Sequence, residues 1–149
     1  QICASGDTYS SIDFPLFRTA DAYLMAAEAI LRGANGSKAD ALDYVNKVRA
    51  RAYMSDEYAV PGVRSDVSGK IDMAQLNLDF ILAERQRELA SECQRRTDLI
   101  RFGKFTTGNN WDWKAAERNG ADVDKHLVLF PIPASEITTN PTIKQNIGY

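Results

Sequence analysis

Apolar positions recur at helical spacing in three stretches of the chain and lose that spacing between them. Over 17–32, Phe17, Ala20, Leu24, Ala27, Glu28 and Leu31 share one face, and Gly33 offers a stop. Ser37 then caps a helix over 37–52, with Asp40 in a capping-box position and Leu42, Val45, Val48 and Ala52 on the buried side. Small residues such as Ala26, Ala27, Ala41 and Ala50 allow close approach, and the connector Gly33-Ala34-Asn35-Gly36 makes the pair antiparallel. The pair is an αα-hairpin of tetratricopeptide-repeat size. Stacks of that kind need about three such units to bury a continuous core. The hairpin therefore packs on the third helix or on neighbours outside this sequence.

The third stretch, 76–102, has neither Gly nor Pro and is rich in Leu, Ala, Glu, Gln and Arg, which predicts one long helix. Stepping about 100° per residue from Leu78 puts Ile81, Leu82, Leu89, Cys93, Leu99 and Ile100 on one apolar stripe. Arg85, Glu92 and Arg96 fall inside that stripe; Glu84 and Glu88 line its flank with Arg95, while Arg87 and Asp98 point away. A charge that faces a core must be paired. Glu92 and Arg96 stand in the favourable i,i+4 order, so they are expected to pair with each other or with the first hairpin. Glu84 and Glu88 approach the ~5 Å separation of a retaining glycosidase, but so does every i,i+4 glutamate pair. Arginines interleaved among the acids suit ion pairs better than a general acid. The predicted role is structural. Cys93, at the stripe's edge, reads as a small core residue.

Two long polar loops flank this helix, over 53–75 and 103–126. Loops of that length in a compact domain are usually functional or mobile. The second holds both tryptophans, Trp111 and Trp113, beside Asn109, Asn110 and Asp112. Alternation in an extended segment puts both indoles on one side. A flat indole covers the apolar face of a sugar ring while amides and carboxylates bond its hydroxyls. The competing reading is that the tryptophans anchor the loop to the core. Tyr58 in the first loop is a weaker candidate of the same kind. The tail, 127–149, starts with Leu127-Val128-Leu129-Phe130-Pro131-Ile132-Pro133, an extended piece whose prolines argue against a central strand. One helical turn at Ser135-Glu136-Ile137 follows, stopped by Asn140-Pro141.

With 149 residues, 44% hydrophobic and 26% charged, the chain is long enough for a domain with a real core. A net charge of −2 with both signs mixed gives no basic patch, so nucleic acid is not an expected partner. No apolar run reaches the ~18 residues of a membrane-spanning helix. Residues 1–7 carry no signal-peptide pattern, so any targeting segment lies outside this sequence. Cys3 and Cys93 are too few for a disulfide scaffold, and with the single His126 they make no ordinary zinc site. No nucleophile motif, phosphate loop or calcium loop is present, so no catalytic residue, metal or cofactor is expected.

The segment ILAERQRELASECQRRTDLIRFGK resembles the signature helix of the SusD/RagB family, through Glu84, Arg85, Glu88, Leu89, Ala90, Glu92, Gln94, Arg95, Asp98 and Leu99. Many members have Gly where Cys93 stands, and a large aromatic near Ser91 and Thr97. RTADAYLMAAEA and ALDYVNKVRARA are similar to the family's hairpin, and LFPIPASEITTNPTIKQNIGY to its C-terminal signature. Four motifs in family order cover 14–149. The resemblance implies a mainly α, SusD-like fold: a tetratricopeptide-type hairpin packed with a long signature helix and long loops. It also implies that 1–149 is the C-terminal portion of a surface-exposed outer-membrane lipoprotein. Such a protein binds oligosaccharide nutrients without turning them over and delivers them to a TonB-dependent transporter of the SusC type, its lipid anchor lying outside this sequence. A helical-repeat scaffold for a protein partner is the alternative, and a glycoside hydrolase is the least favoured.

Overall fold

The computed structural model describes residues 16–53, 69–108 and 111–149. The chain forms two compact units, Gln1–Arg95 and Arg96–Tyr149. The described residues are helical, with no strand among them.

In the first unit, α1 (Thr19–Leu31) and α2 (Lys38–Tyr53) form the predicted hairpin, and α1 also packs on α3 (Leu78–Glu88). Helix α1 ends on Gly33, whose φ of +101° lets Gly33 N–H reach Ile30 O at 3.0 Å and Ala34 N–H reach Ala29 O at 2.9 Å. Those two bonds are the Schellman closure of a helix end. The capping box of α2 is formed: Asp40 N–H donates to Ser37 Oγ at 3.1 Å, and Ser37 N–H to Asp40 Oδ2 at 2.8 Å. Leu24, Ala27, Ala41, Val45, Leu76 and Ile81 make the dry centre, each 0 or 1% exposed. Full burial of a Leu or Ile side chain contributes about 1.5–3 kcal/mol. Phe17 precedes the helix and is exposed, and Ala52 at the far end of α2 is exposed too, so the predicted buried faces are shorter than the apolar pattern.

The predicted single helix over 76–102 is two. Asn77 caps α3 by accepting Phe80 N–H at 2.9 Å, α3 ends at Glu88, and α4 (Arg95–Arg101) starts afresh. Ser91 and Cys93 between them are left-handed, at φ +66° and +60°. Helical periodicity therefore does not carry across 89–94, and two expectations built on it fail. Cys93 is exposed, not a core residue, and Asp98 is buried, not pointing away.

In the second unit, α4 ends in another Schellman closure on Gly103, with Lys104 N–H to Leu99 O at 2.7 Å. A 3-10 turn occupies Lys125–Val128, so the extended piece expected from Leu127 begins only after Val128. Prolines 131 and 133 deny that piece a strand ladder, and side chains from the tail serve its backbone instead. Gln145 bonds both N–H and O of Ile132 at 2.8 and 2.9 Å, and Asn146 Nδ2 reaches Phe130 O at 2.7 Å. Tyr149 Oη donates to Leu129 O at 2.8 Å, and its ring meets His126 edge-on at 4.8 Å. The expected helical turn at 135–137 is α5 (Ala134–Thr139).

Candidate functional site

The charged residues expected on the third helix are gathered by the hairpin. Arg85 is 3% exposed and its Nη1 meets Asp21 Oδ1 of α1 at 2.6 Å. Glu84 Oε2 accepts from Arg49 at 2.7 Å and from Arg87 at 2.6 Å. Glu88 takes Arg18 and, at 2.5 Å, Arg51. Glu92 also pairs with Arg18, at 2.7 Å, and Arg18 donates to the Glu88 carbonyl. The Glu92 hydrogen bond chiefly raises the pKa of Arg18, against desolvation and with help from Glu88. Arg95 Nη1 donates to Leu82 O at 3.0 Å. Asp21 was not singled out from the sequence, although it lies on the same α1 face as Leu24 and Glu28. Its partner is remote in the chain, which local periodicity does not register.

Of the two pairings expected for Glu92, the one with the first hairpin forms, through Arg18, and the one with Arg96 does not. Without a helix through 89–94 the i,i+4 geometry is gone: Glu92 goes to Arg18, and Arg96 donates to Leu127 O at 2.6 Å and Val128 O at 3.0 Å. Arg96 also lies over the Phe130 ring, 4.2 Å from its centroid. The carboxylates of α3 are thus held by guanidinium groups from the hairpin and from α3 itself, an arrangement for fixing helices rather than moving protons. A hollow of about 430 Å³ at the end of α3 is lined by Arg85, Gln86, Leu89, Ser91, Cys93 and Arg95, among others.

The tryptophan loop belongs to the second unit. Val123 N–H to Thr106 O at 3.0 Å closes its base, and Gly108 N–H to Asp122 Oδ1 at 2.6 Å braces it. Trp111 is 40% exposed and Trp113 66%. The segment is not extended as expected: Trp113, Ala115 and Ala116 are left-handed, with φ between +57° and +64°. Alternation therefore does not govern where the two indoles point. Exposure this high at Trp113 also speaks against a core anchor. Lys114, next after Trp113, is 2% exposed, its Nζ 2.9 Å from Gly108 O and 5.4 Å from the Trp111 ring centroid. Lys114 is the loop residue that sequence reasoning passed over, since nothing in a lysine's identity announces burial. Asn109, Asn110, Tyr58 and Cys3 lie outside the described residues. No group of three or more His, Cys, Asp or Glu able to hold a metal ion occurs among the described residues.

The first unit thus sets a helical hairpin over an acid–guanidinium lattice, and the second ends in a tail braced by amide side chains. The chain belongs to the SusD family, whose family model matches residues 4–149. It is 36% identical over 143 residues to the starch-binding protein SusD of Bacteroides thetaiotaomicron, covering 95% of this chain and 22% of that one. It is 35% identical over 140 residues to a SusD-like protein of Formosa agariphila, covering 90% and 24%. Among solved structures, surface glycan-binding protein A from B. thetaiotaomicron matches with TM-score 0.67 and 31% identity, over 91% of this chain and 25% of that one. A SusD superfamily protein from Bacteroides vulgatus matches with TM-score 0.62 and 27% identity, over 87% and 26%. The chain spans about a quarter of the length of these relatives, and the mainly α fold is that of the superfamily.

Proposed function

We propose that this chain is the C-terminal portion of a non-enzymatic, surface-exposed glycan-binding protein, with Trp111 and Trp113 contributing to the contact. The observation that carries the reading is family membership along the chain, among relatives named for binding starch and surface glycans. The two exposed indoles supply a chemically suitable contact, since an aromatic face suits the C–H face of a pyranose. The acids of α3 are committed to arginines, so hydrolysis finds no free carboxylate pair there. The remainder of the proposal is membership of an uptake system: an outer-membrane lipoprotein, anchored through a segment outside this sequence, that passes oligosaccharide to a SusC-like TonB-dependent transporter. Moderate affinity, about −4 to −8 kcal/mol or millimolar to micromolar, suits capture followed by release. The test is calorimetric titration with starch fragments and a panel of other oligosaccharides, with reducing-sugar release followed in parallel. Saturable binding without turnover supports the proposal; steady sugar release refutes it, and binding of a protein partner with no glycan bound favours a scaffold.

A further inference from the structure

Among the described cations of the loop over 104–126, only Lys114 is buried. Burying an ammonium is costly unless it is compensated. Among the described residues its compensation comes without a carboxylate: the Gly108 carbonyl at 2.9 Å and the face of the Trp111 indole, with Nζ 5.4 Å from its centroid. That distance lies within the reach of a cation–π interaction. The backbone on either side of Lys114 is sharply bent. Trp113, Ala115 and Ala116 are left-handed, a conformation that costs a non-glycine residue energy and persists only where surroundings over-determine it. The surroundings do so: Lys114 O accepts Ala121 N–H at 3.1 Å, and Asp122 fixes the Gly108 peptide at 2.6 Å. Trp113, by contrast, has no ring or cation partner among the described residues and is 66% exposed.

We propose that Lys114 is a positioning residue for Trp111: its ammonium covers one face of the indole and sets the remaining, exposed surface for a sugar ring. The inference rests on the glycan-binding reading and adds to it a division of labour. Trp111 is a fixed platform, its ring already ordered before ligand arrives, and Trp113 is an adaptable neighbour. A platform held in place loses less freedom on binding than a loose one.

The test uses the chain labelled with 5-fluorotryptophan, which gives two fluorine resonances assigned by Trp111→Phe and Trp113→Phe. Lys114→Gln keeps a donor for the Gly108 carbonyl and removes the charge. In a folded Lys114→Gln variant the Trp111 resonance is expected to move and broaden while that of Trp113 stays. The Kd for a glycan that the parent binds should rise about fivefold, and Lys114→Arg, which restores a cation, should recover most of both effects. An unchanged Trp111 resonance in folded Lys114→Gln overturns the inference. The parent chain gives an independent check, because through-space contacts between the Lys114 Hε protons and the Trp111 ring are expected and their absence overturns it equally. A parent that binds no glycan sinks the functional reading instead, and the resonances still decide the role of Lys114.

Discussion

Replacing Arg85 by Met should cost the chain more stability than any surface charge change. Arg85 and Asp21 are 2.6 Å apart, with side chains only 4% and 13% exposed. At an effective dielectric near 20 that separation corresponds to roughly 6 kcal/mol of attraction, most of which offsets the desolvation of the two ions. The pair itself therefore adds little net stability. Removing one member is different, because Asp21 is left charged and enclosed, at a cost of about 3–5 kcal/mol. For a chain of this size that is roughly 10 °C in Tm. The control is Lys47→Met, which breaks a pair with Asp43 whose side chains are 50% and 60% exposed. Exposed pairs of that kind contribute little, because water and salt screen them. The assay is thermal unfolding by calorimetry for both variants and for the double change Asp21→Leu/Arg85→Met. The double variant should regain most of the loss, since an apolar pair leaves no stranded charge. A Tm shift for Arg85→Met no larger than that for Lys47→Met would refute the reasoning, as would a double variant no better than the single.

Two smaller changes follow from the backbone and the caps. Cys93→Gly should stabilise by about 1 kcal/mol, because φ at that residue is +60° and glycine pays no left-handed penalty; a Tm at or below that of the parent would contradict it. Asp40 is held below the usual carboxylate range, first by the Ser37 hydroxyl and then by its backbone N–H. A carboxyl whose folded pKa is depressed contributes stability that is present above the unfolded value and lost as pH falls through the folded one. The Tm gap between the parent and Asp40→Asn should therefore be full at neutral pH and close below about pH 4. A gap that stays constant on acidification would show that the Asp40 carboxylate adds nothing to the capping box through its charge.

The hairpin was legible because its signals are local: a capping box, a glycine stop and apolar residues at helical spacing. The break in the third helix was not. Four of the six residues over 89–94, Leu89, Ala90, Glu92 and Gln94, are good helix formers, and beside the left-handed Ser91 and Cys93, Arg18 grips Glu92 and the Glu88 carbonyl. A glycine at 93 would have marked the turn; the cysteine concealed it. The same break explains why Asp98 is buried and Arg96 serves Leu127 and Val128. In the tail the prolines excluded a strand correctly, but no local rule assigns Gln145, Asn146 and Tyr149 to its carbonyls. The tryptophans were visible by composition, whereas the left-handed backbone at Trp113, Ala115 and Ala116 has no glycine to announce it.

The central claim is that the tryptophan loop contributes glycan contact, and the Trp111→Ala/Trp113→Ala double variant addresses it most directly. With the fold intact by circular dichroism, calorimetric titration with a glycan bound by the parent should show at least a tenfold weaker Kd, about 1.4 kcal/mol for the two indoles together. An unchanged Kd would contradict the claim and place the contact elsewhere.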